Sequence, residues 1–199
     1  NMRRIFIGTL VVLTIALING CANRKITRVD PNETIDLSGR WNDSDSRLVS
    51  EEMIGDLLTS AWIPRYLKAN DKRPVVVVGL VENKSHEHIN SETFIKDVEK
   101  AIIRDGNIRL VVAGEKRNEL RKERAEQQDY ASPETTKKWG KELGADFILQ
   151  GTINSIVDSY KKQKVVTYQI DLQLTNIETN EVVWMGDKKI KKQISDRVL

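Results

Sequence analysis

The segment Pro74-Val75-Val76-Val77-Val78-Gly79-Leu80 is a continuous apolar, largely β-branched run that is entered through a proline and flanked by charge. A run of this length between turn formers predicts a strand covered on both faces, and so the centre of a sheet. Upstream, Val49, Met53, Leu57 and Ala61, joined by Ile54, Leu58 and Trp62, recur at helical spacing. They predict a helix capped by Asp43 or Ser44 that continues until Pro64 disturbs it. Downstream, a loop from Val81 to Ile89 leads to a helix capped by Asn90, with Phe94, Ile95, Val98, Ala101 and Ile102 inward and Gly106 just past its end. Ile108 to Ala113 reads as a short second strand.

Glu115 to Asp129 is charged, with little apolar period beyond Leu120 and Ala125, which predicts a solvated helix. Ser132-Pro133-Glu134 reads as the cap and first turn of another helix, with Trp139 and Leu143 inward and Gly144 as its end. Phe147 to Ser159 is a long strand, followed by a five-residue turn from Tyr160 to Lys164. From Val165 to Asn176, Tyr168, Ile170, Leu172 and Leu174 alternate with Thr167, Gln169, Asp171 and Gln173, which implies one buried and one wet face. Glu178-Thr179-Asn180 turns the chain into a last strand, Val182 to Ile190. The order α, β, α, β, α, α, β, β, β predicts a mixed α/β (α+β) domain, a sheet of four to five strands packed with about four helices.

The N-terminus has a different pattern. Met2-Arg3-Arg4 precedes a nearly unbroken apolar run from Ile5 to Ile18, which is shorter than the roughly 20 residues a comfortable membrane span needs. Leu17-Ile18-Asn19-Gly20-Cys21 resembles a bacterial lipobox, in which cleavage falls before a cysteine that takes the lipid. Residues 1–20 are then a lipoprotein signal peptide, Cys21 the lipidation site, 21–42 a polar tether and 43–199 a single globular domain. Ala22 stands where an aspartate would favour inner-membrane retention, so the outer membrane is expected. The tether could reach about 70 Å when fully extended. Ile35 to Trp41 holds enough apolar residues to dock on the domain and shorten that reach.

Composition narrows the function classes. With 31% charged and 39% hydrophobic residues the chain is globular in type. Without the export segment it carries 30 basic against 29 acidic residues, which gives no general affinity for nucleic acid. Cys21 is the only cysteine, so neither an internal disulfide nor a cysteine-based zinc site can form. His86 and His88 flank Glu87 without a third ligand in sequence, a weak metal signal. There is no glycine-rich phosphate loop and no serine in a nucleophile-elbow setting, so neither a catalyst nor a cofactor is expected.

Several stretches together resemble the LpoB family of peptidoglycan-synthase activator lipoproteins: the lipobox cysteine and polar tether, Pro74 to Leu80, Leu143-Gly144-Ala145-Asp146-Phe147-Ile148-Leu149-Gln150-Gly151, and Thr175-Asn176-Ile177-Glu178-Thr179 before Val183-Trp184. The resemblance implies a fold similar to the N-terminal domain of TolB. It also implies a non-enzymatic, monomeric outer-membrane lipoprotein that faces the periplasm and activates a class A penicillin-binding protein in peptidoglycan synthesis. The tether looks short beside the long linker expected of an activator that crosses the periplasm.

If the Phe147 strand runs parallel to the Val75 strand, the loop after the first and the turn after the second lie at one end of the sheet. That places Lys84, His86, His88, Tyr160, Lys161, Lys162, Lys164 and Lys191 on one composite basic surface able to steer an acidic partner. Two other classes remain open. One is a secretion or assembly accessory similar to the curli-secretion pore family CsgG, for which the Tyr160 turn is too short to hold spanning hairpins. The other is a small-molecule-binding domain with a cavity near His86.

Overall fold

The computed structural model describes residues 26–130, Asn32 excepted, and 142–195. The signal peptide, Cys21 and the helix expected from Ser132 through Trp139 lie outside the described residues. The chain divides into two units, residues 1–33 and 34–199. In the first, residues 26–31 and 33 are exposed coil, with a turn closed by Glu33 N donating to Asp30 O at 3.0 Å.

The second unit contains α1 (Asp43–Thr59), α2 (Trp62–Asn70), β1 (Val75–Asn83), α3 (Ser91–Asp105), β2 (Arg109–Val111), α4 (Gly114–Tyr130), β3 (Phe147–Tyr160), β4 (Gln163–Asn176) and β5 (Val182–Ser195). They build a five-stranded mixed sheet in the order β2-β1-β3-β4-β5. β2 and β3 both run parallel to β1, while β4 and β5 follow as antiparallel neighbours. The expected mixed α/β class holds.

β1 is covered on both faces as its composition demands, with Val75 to Val78 all buried. It is not the middle strand, however. Only the three-residue β2 flanks it outside, whereas three long strands follow on its other side, so β3 takes the centre. β1 also runs on to Asn83, because a register shift between Val78 and Val81 absorbs Gly79 and Leu80 and lets pairing resume. Val81 is therefore a core residue, not the start of a loop.

The first helix is capped by Asn42, one residue before the expected caps. Its side chain accepts from Asp45 N, while Asp45 Oδ2 accepts from Asn42 N, a reciprocal box. The break comes at Ser60 and not at Pro64, because Ser60 turns extended. Pro64 instead sits in the first turn of α2, where a missing N–H costs no helical hydrogen bond. α3 begins and ends as expected, at Asn90 and at Gly106 with φ 77°.

Along β4 the alternation is borne out: Val166, Tyr168, Ile170, Leu172 and Leu174 are buried on the face that carries the helices. α1 packs on α3 and β5, and α3 on β1. β5 continues past Ile190 to Ser195 although its side chains there turn to lysine, because the full length of β4 offers it a ladder. The exposed Lys189 and Lys191 also blunt this sheet edge. α4 is largely exposed, as its charge predicts. Leu143 does not face the core but is 43% exposed.

Candidate functional site

The strap ahead of α1 is pinned to the sheet by one buried cation. Parity along β5 puts Lys192 on the helix-covered face with Trp184, Ile190 and Ile194. Its Nζ donates to Asp45 Oδ2 at 2.6 Å and to Arg40 O at 2.8 Å, and pairs with Asp36 Oδ2 at 2.9 Å. The Lys192 side chain is only 8% exposed. Burial alone would lower its pKa, but the hydrogen bonds to Asp36 and Asp45 outweigh that and hold it above the ordinary lysine value. Gly39, at φ 67°, lies so close to Ile194 that a Cβ there would meet the Ile194 side chain at 2.4 Å. The strap ends at Trp41, whose ring meets Tyr168 edge-on with centroids 5.5 Å apart.

The loop after β1 completes this junction. Asn83 Nδ2 donates to Glu87 O at 2.8 Å, and His86 N donates to Ser155 Oγ on β3 at 3.0 Å. The Glu87 carboxylate accepts from Trp41 N at 3.1 Å and lies 3.4 Å from His86 Nε2. Tyr168 Oη is fully buried without a hydrogen-bond partner among the described residues. Burial first, and then the nearby Glu87 carboxylate, push its pKa up. The strap, loop and sheet thus form one rigid corner from residues remote in sequence.

The register divides the eight residues expected on one basic surface. Lys84, His86 and His88 lie in the loop level with Ser155, where Lys84 pairs with Glu82 at 3.1 Å. Tyr160, Lys161, Lys162 and Lys164 lie at the β3–β4 tip, six or so residues and roughly 20 Å further along the strands. Lys191 is level with Ile156 and Thr167, so its parity sets it on the face away from the helices. One composite surface is therefore replaced by three placements. The cause is strand length, since β3 outruns β1, whose last pair is Asn83 with Ile153. The expected five-residue turn is a two-residue one, because Tyr160 still pairs with Gln163.

At the other end of the sheet, the segment Gly144-Ala145-Asp146-Phe147 has a structural role. Asp146 Oδ2 accepts from Tyr66 Oη at 2.7 Å and from Val75 N at 2.9 Å, and Asp146 N donates to Val75 O at 2.8 Å. Burial, and then this carboxylate, raise the Tyr66 pKa. One aspartate so fastens α2, β1 and β3 together. Gly151 follows on β3, where a Cβ would lie 2.2 Å from Asp171 O. A recess of about 440 Å³ opens on the far face beside Val77, Gly79, Ala145 and Ile148, away from His86. Among the described residues no three metal-ligating side chains converge.

A five-stranded mixed sheet packed with helices, a strap locked at one corner and an Asp-Phe strand entry define a small mixed α/β domain. The sequence profile described as "Peptidoglycan-synthase activator LpoB" matches residues 45–190, and the chain belongs to the LpoB family. Among solved structures, the LpoB C-terminal domain from Escherichia coli aligns at 19% identity and a TM-score of 0.42, over 76% of this chain and 99% of that one. The domain from Salmonella enterica aligns at 15% identity and 0.40, over 73% and 98%. Lipoprotein GNA1162 from Neisseria meningitidis aligns at 16% identity and 0.39, over 60% and 83%. No curated protein matches the chain in sequence.

Proposed function

We propose that this chain is an outer-membrane lipoprotein, acylated at Cys21 and facing the periplasm, that binds a class A penicillin-binding protein and activates its peptidoglycan synthesis. The observation that carries this reading is the activator-family match, which runs from α1 well into β5 and so takes in almost every element of the folded unit. The family is one of activators, and the protein's part in the chemistry is then to dock, not to catalyse. The loop bearing Lys84, His86 and His88 suits that role. It is exposed, yet held by Asn83, Ser155 and Glu87, so little ordering entropy is lost on binding.

A glycan-polymerisation assay tests the reading, with a purified class A synthase and the chain from residue 21 onward carrying Cys21→Ser. The expected result is a faster rate of polymerisation and cross-linking, weakened when Lys84, His86 and His88 are replaced together by alanine. An unchanged rate at saturating protein, with no co-sedimentation or shift in synthase melting, would sink it.

A further inference from the structure

The β3–β4 tip and the strap enclose a second feature, a polar groove of about 400 Å³ whose wall includes Ser38, Arg40, Lys161, Lys162, Gln163 and Lys164. None of its four cations is ion-paired with a described acid, although the neighbouring Lys192 engages both Asp36 and Asp45. Elsewhere on the sheet Lys188 pairs with Glu52, while the exposed Lys189 and Lys191 extend the positive charge along β5. The face of the hairpin opposite this groove carries exposed aromatic and apolar groups. Tyr160 is 72% exposed with Lys161 Nζ 5.2 Å from its ring centre, and Ile156 is 70% exposed.

Cations, an exposed tyrosine and isolated aliphatic side chains on a protruding hairpin are the combination that a lipid headgroup layer accepts. The strap that forms one wall is also the end of the tether. Only 16 residues separate Cys21 from Ser38. Even at full extension a segment of this length reaches no more than about 53–58 Å. The geometry points to this tip as a lipid-facing surface: its cations engage phosphate groups of anionic lipids in the membrane that holds Cys21. The inference rests on the lipidation proposed above. The tip would then face the membrane, leaving the loop of Lys84, His86 and His88 about 20 Å further out for a partner.

The test uses the chain from residue 21 onward carrying Cys21→Ser, so that no acyl group contributes. Sedimentation is measured with vesicles of phosphatidylcholine alone and of phosphatidylcholine mixed with phosphatidylglycerol. Binding is expected only to the mixed vesicles, with affinity falling about a hundredfold or more in K161E/K162E/K164E, as three cations each worth roughly fivefold predict. Inorganic phosphate at matched ionic strength should not displace it. Equal binding to both vesicles, no loss in the triple variant, or displacement by inorganic phosphate at matched ionic strength would overturn the proposal, the last by making the groove a free-anion site. Loss of synthase stimulation in the triple variant without loss of vesicle binding would also overturn it and assign the tip to a protein. Because the vesicle arm contains no synthase, failure of the activator reading would leave its result untouched. An unchanged unfolding midpoint checks that the variant folds.

Discussion

Replacing Lys192 by methionine tests whether one buried cation locks the strap to the domain. Methionine keeps much of the stem volume and removes the charge and all three contacts, at 2.6 Å to Asp45, 2.8 Å to Arg40 O and 2.9 Å to Asp36. The two acids then behave differently. Asp36 is 38% exposed and can turn to water, so its share is small. Asp45 is 10% exposed and keeps only the Asn42 N–H at 2.9 Å, so its charge is left largely desolvated. Removing one partner of a buried pair costs about 3–5 kcal/mol, and the remaining hydrogen bond places this case near the lower end, at about 3 kcal/mol. For a domain of this size that lowers the melting temperature by roughly 6–12 °C. Thermal unfolding of Lys192→Met beside Lys189→Met, an exposed control, reads the difference. Hydrogen exchange at residues 36–41 should rise in the first variant only. A loss below about 1 kcal/mol, or equal losses in the two variants, would refute the claim of a buried lock.

The same strap should respond to acid. The Lys192 hydrogen bond, against a smaller opposing effect of burial, holds the Asp36 pKa below the ordinary aspartate value. A depressed carboxyl stabilises fully above its unfolded value of about 3.9 and loses that contribution as pH falls through the lower folded value, so Trp41 exposure should grow only below about pH 4. Quenching of Trp41 fluorescence, with Trp41→Phe as the blank, measures this; exposure that develops between pH 5 and 7 would contradict it. Gly151→Ala should destabilise by about 2 kcal/mol or more, because its methyl would meet Asp171 O at 2.2 Å and backbone cannot swing aside; urea unfolding that shows less than half that loss would disprove the close approach. Tyr168→Phe should be neutral or slightly stabilising, within about 1 kcal/mol, since it removes a buried hydroxyl that has no partner among the described residues. A larger loss on unfolding would mean that the hydroxyl is bonded after all.

Apolar periodicity determined most of the elements by itself. Four successive valines specify a strand buried on both faces in any fold that shields them, and the period-two pattern from Tyr168 to Leu174 leaves one face for helices. Asn90 and Gly106 delimit α3 because capping is local chemistry. Where the outcome depended on partners distant in sequence, the chain alone was silent. β5 extends through a lysine-rich stretch because β4 pairs with it, and β1 passes Gly79 because β3 resumes the ladder after the shift. Lys192 becomes a buried lock because strand parity turns it inward toward Asp45, a residue 147 positions away. Its sequence neighbour Lys191 faces the opposite side and stays in water. Side-chain type and spacing prescribe local structure; which of two adjacent lysines is buried follows from register, and register is set by the hydrogen bonds of the assembled sheet.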